Sequence, residues 1–177
     1  MSSITAIIKK NDVIVFFLLN RKMHCRILNV LMKAVTQLGS AGFVVSLATV
    51  CLLYDLAYYS RIGALVVLNL IVSQVIIQLV KRIANRPRPY KTFDWVIAVK
   101  PPECKYSFPS GHTSAAFSLA FVLTYTIPAF SLIFIFPAVL VGISRIYLGC
   151  HFPTDVIIGF LISYITFICI LQIMPLS

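Results

Sequence analysis

The sequence predicts an all-α protein: a polytopic membrane helix bundle of five to six transmembrane helices plus a short N-terminal interfacial helix. Hydrophobic residues make up 60% of the 177 residues and charged residues only 11%, which is too apolar for an ordinary soluble domain. Several apolar stretches also reach the roughly 20 residues that a helix needs to cross a hydrocarbon layer about 30 Å thick. No repeat, low-complexity tract or linker divides the chain, so we expect one membrane-embedded domain over residues 1–177.

Five stretches are long and apolar enough to cross the membrane. They are residues 41–59, 62–80, 110–127, 130–148 and 153–173. The connections near Ser60 and Pro128 are short, whereas residues 81–109 form a long polar connection with four prolines before its last residue, Pro109. A connection of that length in a compact protein is usually functional.

The N-terminal region is predicted to lie at the membrane surface. The apolar run "DVIVFFLLN", which begins at Asp12, is too short to cross alone and has lysine or arginine on both sides. We interpret it as an interfacial helix, or as half of a sixth crossing completed by residues 26–40. A cleavable signal peptide is disfavoured, because "NRK" and not a small-residue cleavage site follows the run.

Basic residues outnumber acidic ones by 15 to 5, and most of them fall in residues 9–33 and 81–105. Such clusters usually mark cytoplasmic loops or contacts with anionic headgroups. The expected partners are therefore the lipid bilayer and a membrane lipid, and not nucleic acid, because no soluble basic domain exists to bind it. The five cysteines lack metal-ligand spacing and are interpreted as small apolar residues, with Cys150, next to His151, left open as an exception.

Three polar segments are predicted to reach the same membrane face. The span at 62–80 ends at Lys81, and the long connection returns to the membrane at Ser110 on that face. The chain then crosses, turns at Pro128 and comes back near Ser144. The hydropathy pattern alone therefore predicts that three segments lie on one membrane face: "KRIANRPRP", "FPSGH" and "SRIYLGCHFPTD".

The first segment has four basic residues that could simply form the positive cap of a span: Lys81, Arg82, Arg86 and Arg88. The setting "RPRP" favours a more specific role, because Pro87 and Pro89 fix φ and hold Arg88 in an extended backbone. A guanidinium held in this way can present its planar fork to a phosphate, and Lys81 adds a point charge.

The second segment, "FPSGH", has the features of an anion site at a helix start. Ser110 stands at the expected N-cap after Pro109, and Gly111 permits a close backbone approach to a ligand. The alternative is a capped helix with a histidine, His112, at the membrane edge. A helix N-terminus suited to phosphate favours a functional role for that histidine.

The third segment places Arg145 at the end of one span and an acid–histidine pair at the start of the next. His151 and Asp155 are four residues apart, about one helical turn, and Pro153 suits the first turn of a helix. Asp155 could merely stabilise the helix dipole. A carboxylate that hydrogen-bonds one ring nitrogen of a histidine, however, leaves the other nitrogen basic and able to attack.

These segments resemble the signature of the type 2 phosphatidic acid phosphatase superfamily. Its first motif, Lys, six residues, Arg-Pro, matches Lys81 to Pro89, and its second, Pro-Ser-Gly-His, matches Pro109 to His112. Its third, Ser-Arg, five residues, His, three residues, Asp, matches residues 144–155. Every motif position is filled in order, although the motifs occupy a small part of the chain. The membrane members of this superfamily are usually six-helix bundles.

The resemblance implies a lipid phosphatase with assigned residue roles. His151, oriented by Asp155, would attack phosphorus and form a phosphohistidine, and His112 would protonate the leaving oxygen and later activate water. Five residues would hold the phosphate: Lys81, Arg88, Ser110, Gly111 and Arg145. No metal or other cofactor is expected, because three cations neutralise the phosphoryl charge.

The substrate implied by the resemblance is a lipid phosphate or diphosphate, with undecaprenyl diphosphate ranked first. Phosphatidylglycerophosphate, phosphatidic acid and lipid A phosphates are the alternatives. The positive-inside rule would place the basic loop in the cytoplasm, but phosphate binding already accounts for Lys81, Arg88 and Arg145. The resemblance favours a plasma-membrane protein whose active site faces outward.

Three alternatives compete with this interpretation. A transporter would more often place its charges at mid-span than at helix ends, and Asp55 is the one acidic residue expected inside a span. A haloperoxidase would use the same cage for vanadate, but those relatives are soluble. A catalytically silent lipid-binding protein is disfavoured by the presence of both His112 and His151.

Overall fold

A computed structural model describes residues 3–58, 60–99 and 105–174, and the predicted all-α class is confirmed for them. These residues form eight α-helices and contain no strand. The helices are α1 (Ser3–Phe17), α2 (Arg26–Thr36), α3 (Ala41–Tyr58), α4 (Ile62–Ala84), α5 (Pro89–Thr92), α6 (Gly111–Thr126), α7 (Ser131–Tyr147) and α8 (Pro153–Ile173). Residue 59 of the first predicted span and residues 100–104 of the predicted long connection, Cys104 among them, lie outside the described residues.

Four helical segments of the described chain are long and apolar enough to cross a membrane, so the protein is a multi-pass membrane protein. They are Ala41–Tyr58, Ile62–Thr92, Pro128–Tyr147 and Pro153–Ile173. They correspond to four of the five predicted spans, and their outer faces carry exposed apolar side chains such as Leu56, Leu132 and Ile173. These faces are suited to lipid contact.

The stretch predicted as a span at 110–127 is the short central helix α6. At roughly 1.5 Å per residue, its 16 residues are only about 24 Å long, less than the thickness of the hydrocarbon layer. Helix α6 packs against α3, α4, α7 and α8, and nine of its residues are buried. A helix enclosed by its neighbours need not match the lipid thickness, so four described helical segments and not five meet the criteria for a span.

The N-terminal region forms two helices that lie at one end of the bundle. Helix α1 continues through a π-helical turn, Leu18–Lys22, and is therefore longer than the predicted short helix. Helix α2 is separate from it and amphipathic: Leu28 and Met32 pack against the C-terminal end of α7, while Ile27 and Val30 are exposed. Neither helix qualifies as a membrane span among the described residues, in keeping with an interfacial position.

The ends of four helices meet at that same end of the bundle. Helix α4 ends there in a left-handed residue, Asn85, and α7 ends in a turn through Gly149 at φ +80°. A side chain at Gly149 would also approach the carbonyl oxygen of Ile97 to 2.9 Å, so this turn requires glycine. Helices α6 and α8 start at the same end. The turn therefore places His151 close to the two other polar segments, which contain Arg88 and His112.

Candidate active site

The three polar segments line one cavity, as the sequence predicted. The cavity has a volume of about 420 Å³ and lies at the end of the bundle where α4, α6 and α7 meet the α7–α8 connection. Its polar wall contains six of the predicted site residues: Lys81, Arg88, Gly111, His112, Arg145 and His151. Its other wall is formed by apolar residues of α3, α4 and α6, among them Val44, Val45, Leu70, Ile71 and Ala115. The cavity is therefore lined both by cationic side chains and by apolar side chains that are suited to contact with a lipid tail.

His151 lies in the α7–α8 connection and is only 2% exposed. Burial lowers the pKa of His151 to about 4, and the nearby cations Arg145 and Arg88 act in the same direction against the opposing effect of Asp155. The imidazole is consequently neutral at physiological pH. Its Nε2 atom lies 3.4 Å from Nη1 of Arg88, on the cavity side.

Asp155 lies behind His151, outside the cavity wall, and is fully buried. Its Oδ2 is 3.6 Å from Nδ1 of His151, which is longer than a hydrogen bond, and Nδ1 has no hydrogen-bond partner among the described residues. Oδ2 instead accepts the backbone N–H of Phe152 at 2.8 Å and a hydrogen bond from the Ser107 hydroxyl. Oδ1 accepts from Arg86 Nη1 at 2.7 Å. The carboxylate is thus fixed by donors and faces the histidine.

Three cationic side chains line the cavity although all three are buried: Lys81, Arg88 and Arg145. Arg88 Nη1 donates to the carbonyl oxygen of Cys150 at 3.0 Å, and Arg145 Nη1 donates to Thr36 Oγ1 at 2.8 Å. Nε of Arg145 has no hydrogen-bond partner within the described chain. No carboxylate belongs to the described residues of the cavity wall. A buried positive wall of this kind is suited to a multiply charged anion.

The start of α6 confirms the predicted N-cap but gives Ser110 a different contact from the expected one. Ser110 Oγ accepts the backbone N–H of Thr113 at 3.4 Å and the Thr113 hydroxyl at 2.8 Å, and Ser110 does not line the cavity. Its backbone N–H donates to the carbonyl oxygen of Asp155 at 2.9 Å, which ties α6 to α8. Gly111 and His112, the next two residues, face the cavity.

Several residues that the sequence did not single out support the site. Ser107, Thr36 and Gln74 contact Asp155, Arg145 and the carbonyl oxygen of Gly111, respectively. Each of these contacts joins residues that are at least 37 positions apart in the chain. No local pattern could have identified them.

The described residues contain no group of three or more histidine, cysteine or acidic side chains placed to hold a metal ion. Cys51 and Cys150 are buried, and Cys25 and Cys169 are exposed. Cys150 contributes its backbone carbonyl to Arg88, while its sulfur lies 3.8 Å from the carbonyl oxygen of Leu148. In this geometry the backbone of Cys150 contacts Arg88, a residue of the cavity wall.

Two curated relatives that match the chain are named as phosphatases. An undecaprenyl-diphosphatase from Sulfolobus acidocaldarius is 32% identical over 112 residues, which is 62% of this chain and 54% of that protein. Phosphatidylglycerophosphatase B from Bacillus subtilis is 32% identical over 153 residues, 79% of this chain and 72% of that protein. The aligned part of the chain therefore spans about half of the first relative and nearly three quarters of the second.

Two solved structures are similar to that of this chain. The crystal structure of Aquifex aeolicus LpxE superposes with a TM-score of 0.80 at 29% identity and covers 90% of this chain and 94% of that one. The transmembrane PAP2-type phosphatidylglycerolphosphate phosphatase of B. subtilis also gives a TM-score of 0.80, at 27% identity, with 94% of this chain and 86% of that one covered. The sequence profile of the PAP2 superfamily matches residues 62–177, which contain all three motifs. With this match over more than half of its length, the chain belongs to the PAP2 superfamily.

Proposed function

We propose that this protein is an integral-membrane lipid phosphatase that hydrolyses a lipid phosphate or diphosphate through a phosphohistidine intermediate, without a metal ion. The observation that supports this most strongly is the cavity itself. A neutral, buried imidazole faces a space lined by three buried cations, and apolar residues of α3, α4 and α6 also line that space. A lipid with a phosphorylated headgroup has the complementary distribution of charge and apolar surface.

In this mechanism the phosphate is bound by the cationic wall. Lys81, Arg88 and Arg145 neutralise the non-bridging oxygens of the transferring phosphoryl group, and their stabilisation increases as charge builds up there in the transition state. The backbone N–H of Gly111 completes the cage at the N-terminus of α6, where the helix dipole favours an anion. Ser110 contributes by capping that helix and fixing its start.

The nucleophile is Nε2 of His151. Its lone pair forms the P–N bond while the P–O bond to the lipid breaks, and Asp155 stabilises the positive charge that develops on the ring. Because burial keeps His151 unprotonated, the lone pair is available over the whole physiological pH range.

His112 provides the general acid and then the general base. The anionic phosphate in the cavity favours its protonated form, as an opposite charge does. His112 gives its proton to the leaving oxygen and afterwards accepts one from the water that attacks phosphorus. Breakage of the P–N bond then releases inorganic phosphate and returns both histidines to their initial states.

For the substrate we propose undecaprenyl diphosphate first and phosphatidylglycerophosphate, phosphatidic acid or a lipid A phosphate as alternatives. The apolar residues of α3, α4 and α6 in the cavity wall suit a long hydrocarbon tail, and two relatives are named for lipids of this kind. We place the protein in the plasma membrane with its active site on the extracytoplasmic face. Labelling of an R82C variant, with Cys25, Cys104 and Cys169 replaced by serine, by a membrane-impermeant maleimide in intact cells tests that orientation.

The experiment that tests the function is phosphate release by the detergent-purified protein in excess chelator. Undecaprenyl diphosphate and phosphatidylglycerophosphate are offered in parallel at equal concentration, with His151→Ala as the inactive control. We expect metal-independent release from the diphosphate. Release from the glycerophospholipid alone would assign the second substrate, and activity that depends on added metal would overturn the mechanism.

A further inference from the structure

Arg86 forms a bridge between two buried carboxylates, and only one of them belongs to the site described above. Its Nη1 donates to Asp155 Oδ1 at 2.7 Å, and its Nη2 donates to Asp12 Oδ2, also at 2.7 Å. The guanidinium carbon lies 4.1 Å from the ring centroid of Phe152. These contacts hold Arg86 in a single orientation between α1 and α8.

Asp12 is unusual because it is an acidic residue of an N-terminal surface helix that is only 4% exposed. Besides Arg86, it accepts the backbone N–H of Thr154 at 2.8 Å and the Thr154 hydroxyl at 2.6 Å. The same hydroxyl accepts a hydrogen bond from Arg86 Nη1 at 2.8 Å. Asp12, Arg86 and Thr154 therefore form a closed ring of hydrogen bonds next to Asp155.

We propose that Asp12 and Arg86 are positioning residues for the reaction, because they hold Asp155 in the place and charge state from which it supports His151. The proposal rests on the phosphatase function proposed above. It gives helix α1, which lies outside the segment 62–177 matched by the family profile, a part in the active site.

The charges explain why both residues are needed. Without Asp12, the full positive charge of Arg86 would act on Asp155 and weaken the stabilisation that Asp155 gives to a positively charged His151. Asp12 shares that guanidinium, so Asp155 receives a rigid donor while keeping most of its negative field. Without Arg86, the two buried carboxylates would face each other with no cation between them, and Asp155 would lose its Oδ1 partner.

A purely structural role for Asp12 would make it the anchor of α1, but α1 is anchored elsewhere as well. Phe16 packs on Trp95 and Phe152. Asn20 donates to the carbonyl oxygens of Ile97 and Tyr147 at 2.9 and 2.7 Å and accepts the Ile97 N–H at 3.0 Å. Removal of the Asp12 charge should therefore leave the helix in place.

The first test compares the kinetics of D12N, R86Q, R86K and the D12N/R86Q double variant in the phosphate-release assay. We expect kcat of R86Q to fall about 10- to 100-fold, since misplaced catalytic groups cost rates of this order, with KM within about twofold. R86K should recover part of the loss, and D12N should lose less than R86Q. The double variant should be no slower than R86Q, because the two residues act through one carboxylate.

Two controls separate positioning from general damage. Arg82→Gln removes an exposed arginine of the same basic segment and should retain wild-type activity. Asn20→Ala loosens α1 without changing Asp12 or Arg86. It should lower the temperature of thermal unfolding clearly and kcat only slightly. If N20A and D12N lowered kcat equally, the role of Asp12 would be structural and the proposal wrong.

The second test does not need turnover, and it uses ¹⁵N-histidine NMR, which reports on the chain's three histidines. The ionisable groups around His151 come from five parts of the fold: Lys81 of α4, Arg88 before α5, His112 of α6, Arg145 of α7 and Asp155 of α8. The proposal predicts that the His151 titration midpoint rises in R86Q and falls in D12N, whereas it is unchanged in R82Q and N20A.

The outcomes distinguish this proposal from the proposed function. Unchanged kcat and unchanged His151 titration in both D12N and R86Q, with hydrolysis abolished in His151→Ala, would overturn the positioning role and leave the phosphatase intact. A wild-type protein that hydrolyses none of the four proposed lipids would overturn the proposed function, and opposite shifts of the His151 midpoint would still support the coupling through Asp155.

Discussion

Helices α6 and α8 touch at Gly159, and a single methyl group there should disturb the alignment of the two histidines. A β-carbon added at Gly159 would lie 2.5 Å from the carbonyl oxygen of Ser110, whereas ordinary contact begins at 3.4 Å. The shortfall of about 0.9 Å falls on backbone and cannot be relieved by a side-chain rotation. In a G159A variant the start of α6 must therefore move away from α8.

This movement acts on the hydrogen bond from the backbone N–H of Ser110 to the carbonyl oxygen of Asp155. If the whole shift falls there, the bond lengthens from 2.9 Å to about 3.8 Å, beyond the limit of about 3.2 Å for an N–H to O bond. Displacement of reacting groups by about 1 Å can cost about 100-fold in rate. Overpacking of a tight core position costs about 1 to 3 kcal/mol of stability. We thus expect kcat of G159A to fall about 100-fold, with a smaller change in KM.

The assay is steady-state phosphate release by purified G159A, with thermal unfolding in detergent to measure the loss of stability. Gly42→Ala is the matched control, because a β-carbon at Gly42 in α3 would meet nothing within 4 Å. G42A should keep wild-type kcat. Wild-type kcat in G159A, at normal yield and monodispersity, would refute the reasoning that contact between α6 and α8 sets the alignment of the site.

Three other predictions follow from the contacts around the cavity. Thr36→Val removes the acceptor for Arg145 Nη1 and should raise KM about 3- to 10-fold with little change in kcat, as a misdirected cation weakens phosphate binding; an unchanged KM would contradict this role. Because burial lowers the pKa of His151 to about 4, its neutral form persists as pH falls, so the acidic limb of the profile of kcat/KM against pH, corrected for substrate ionisation, should have its midpoint near pH 4 and not near 6.5. His112→Asn should slow hydrolysis of a poor leaving group more than that of a good one, which paired substrates can measure; equal slowing would argue against general acid catalysis.

The sequence was most informative where the chemistry fixes both residue type and spacing. Hydropathy predicted that the three segments meet on one side of the membrane, because an even number of crossings separates them. Lys81, Arg88, Arg145 and both histidines do line one cavity in the structure. Ser110 was correctly predicted as an N-cap, but its hydroxyl contacts Thr113 because capping uses the oxygen that was expected to face phosphate.

Other features could not be predicted, because they depend on packing between distant parts of the chain. The ion pair between Asp12 and Arg86 joins residues 74 positions apart, and hydropathy describes α1 only as a charged surface helix. Hydropathy predicted a span at 110–127, but not that the helix there, α6, has only 16 residues. Its shortness and central position become visible only when the surrounding helices are in place.

The most direct measurement of the central claim is a rapid-quench trap of the phosphoenzyme. Wild-type protein and the His151→Ala variant are mixed with substrate carrying ³²P in the transferred phosphoryl group, quenched in alkaline denaturant and separated from free lipid. The account predicts protein-bound label in the wild type that is stable to base, lost in acid and absent from His151→Ala. Rapid phosphate release without protein-bound label at any time, or equal labelling of His151→Ala, would contradict nucleophilic attack by His151.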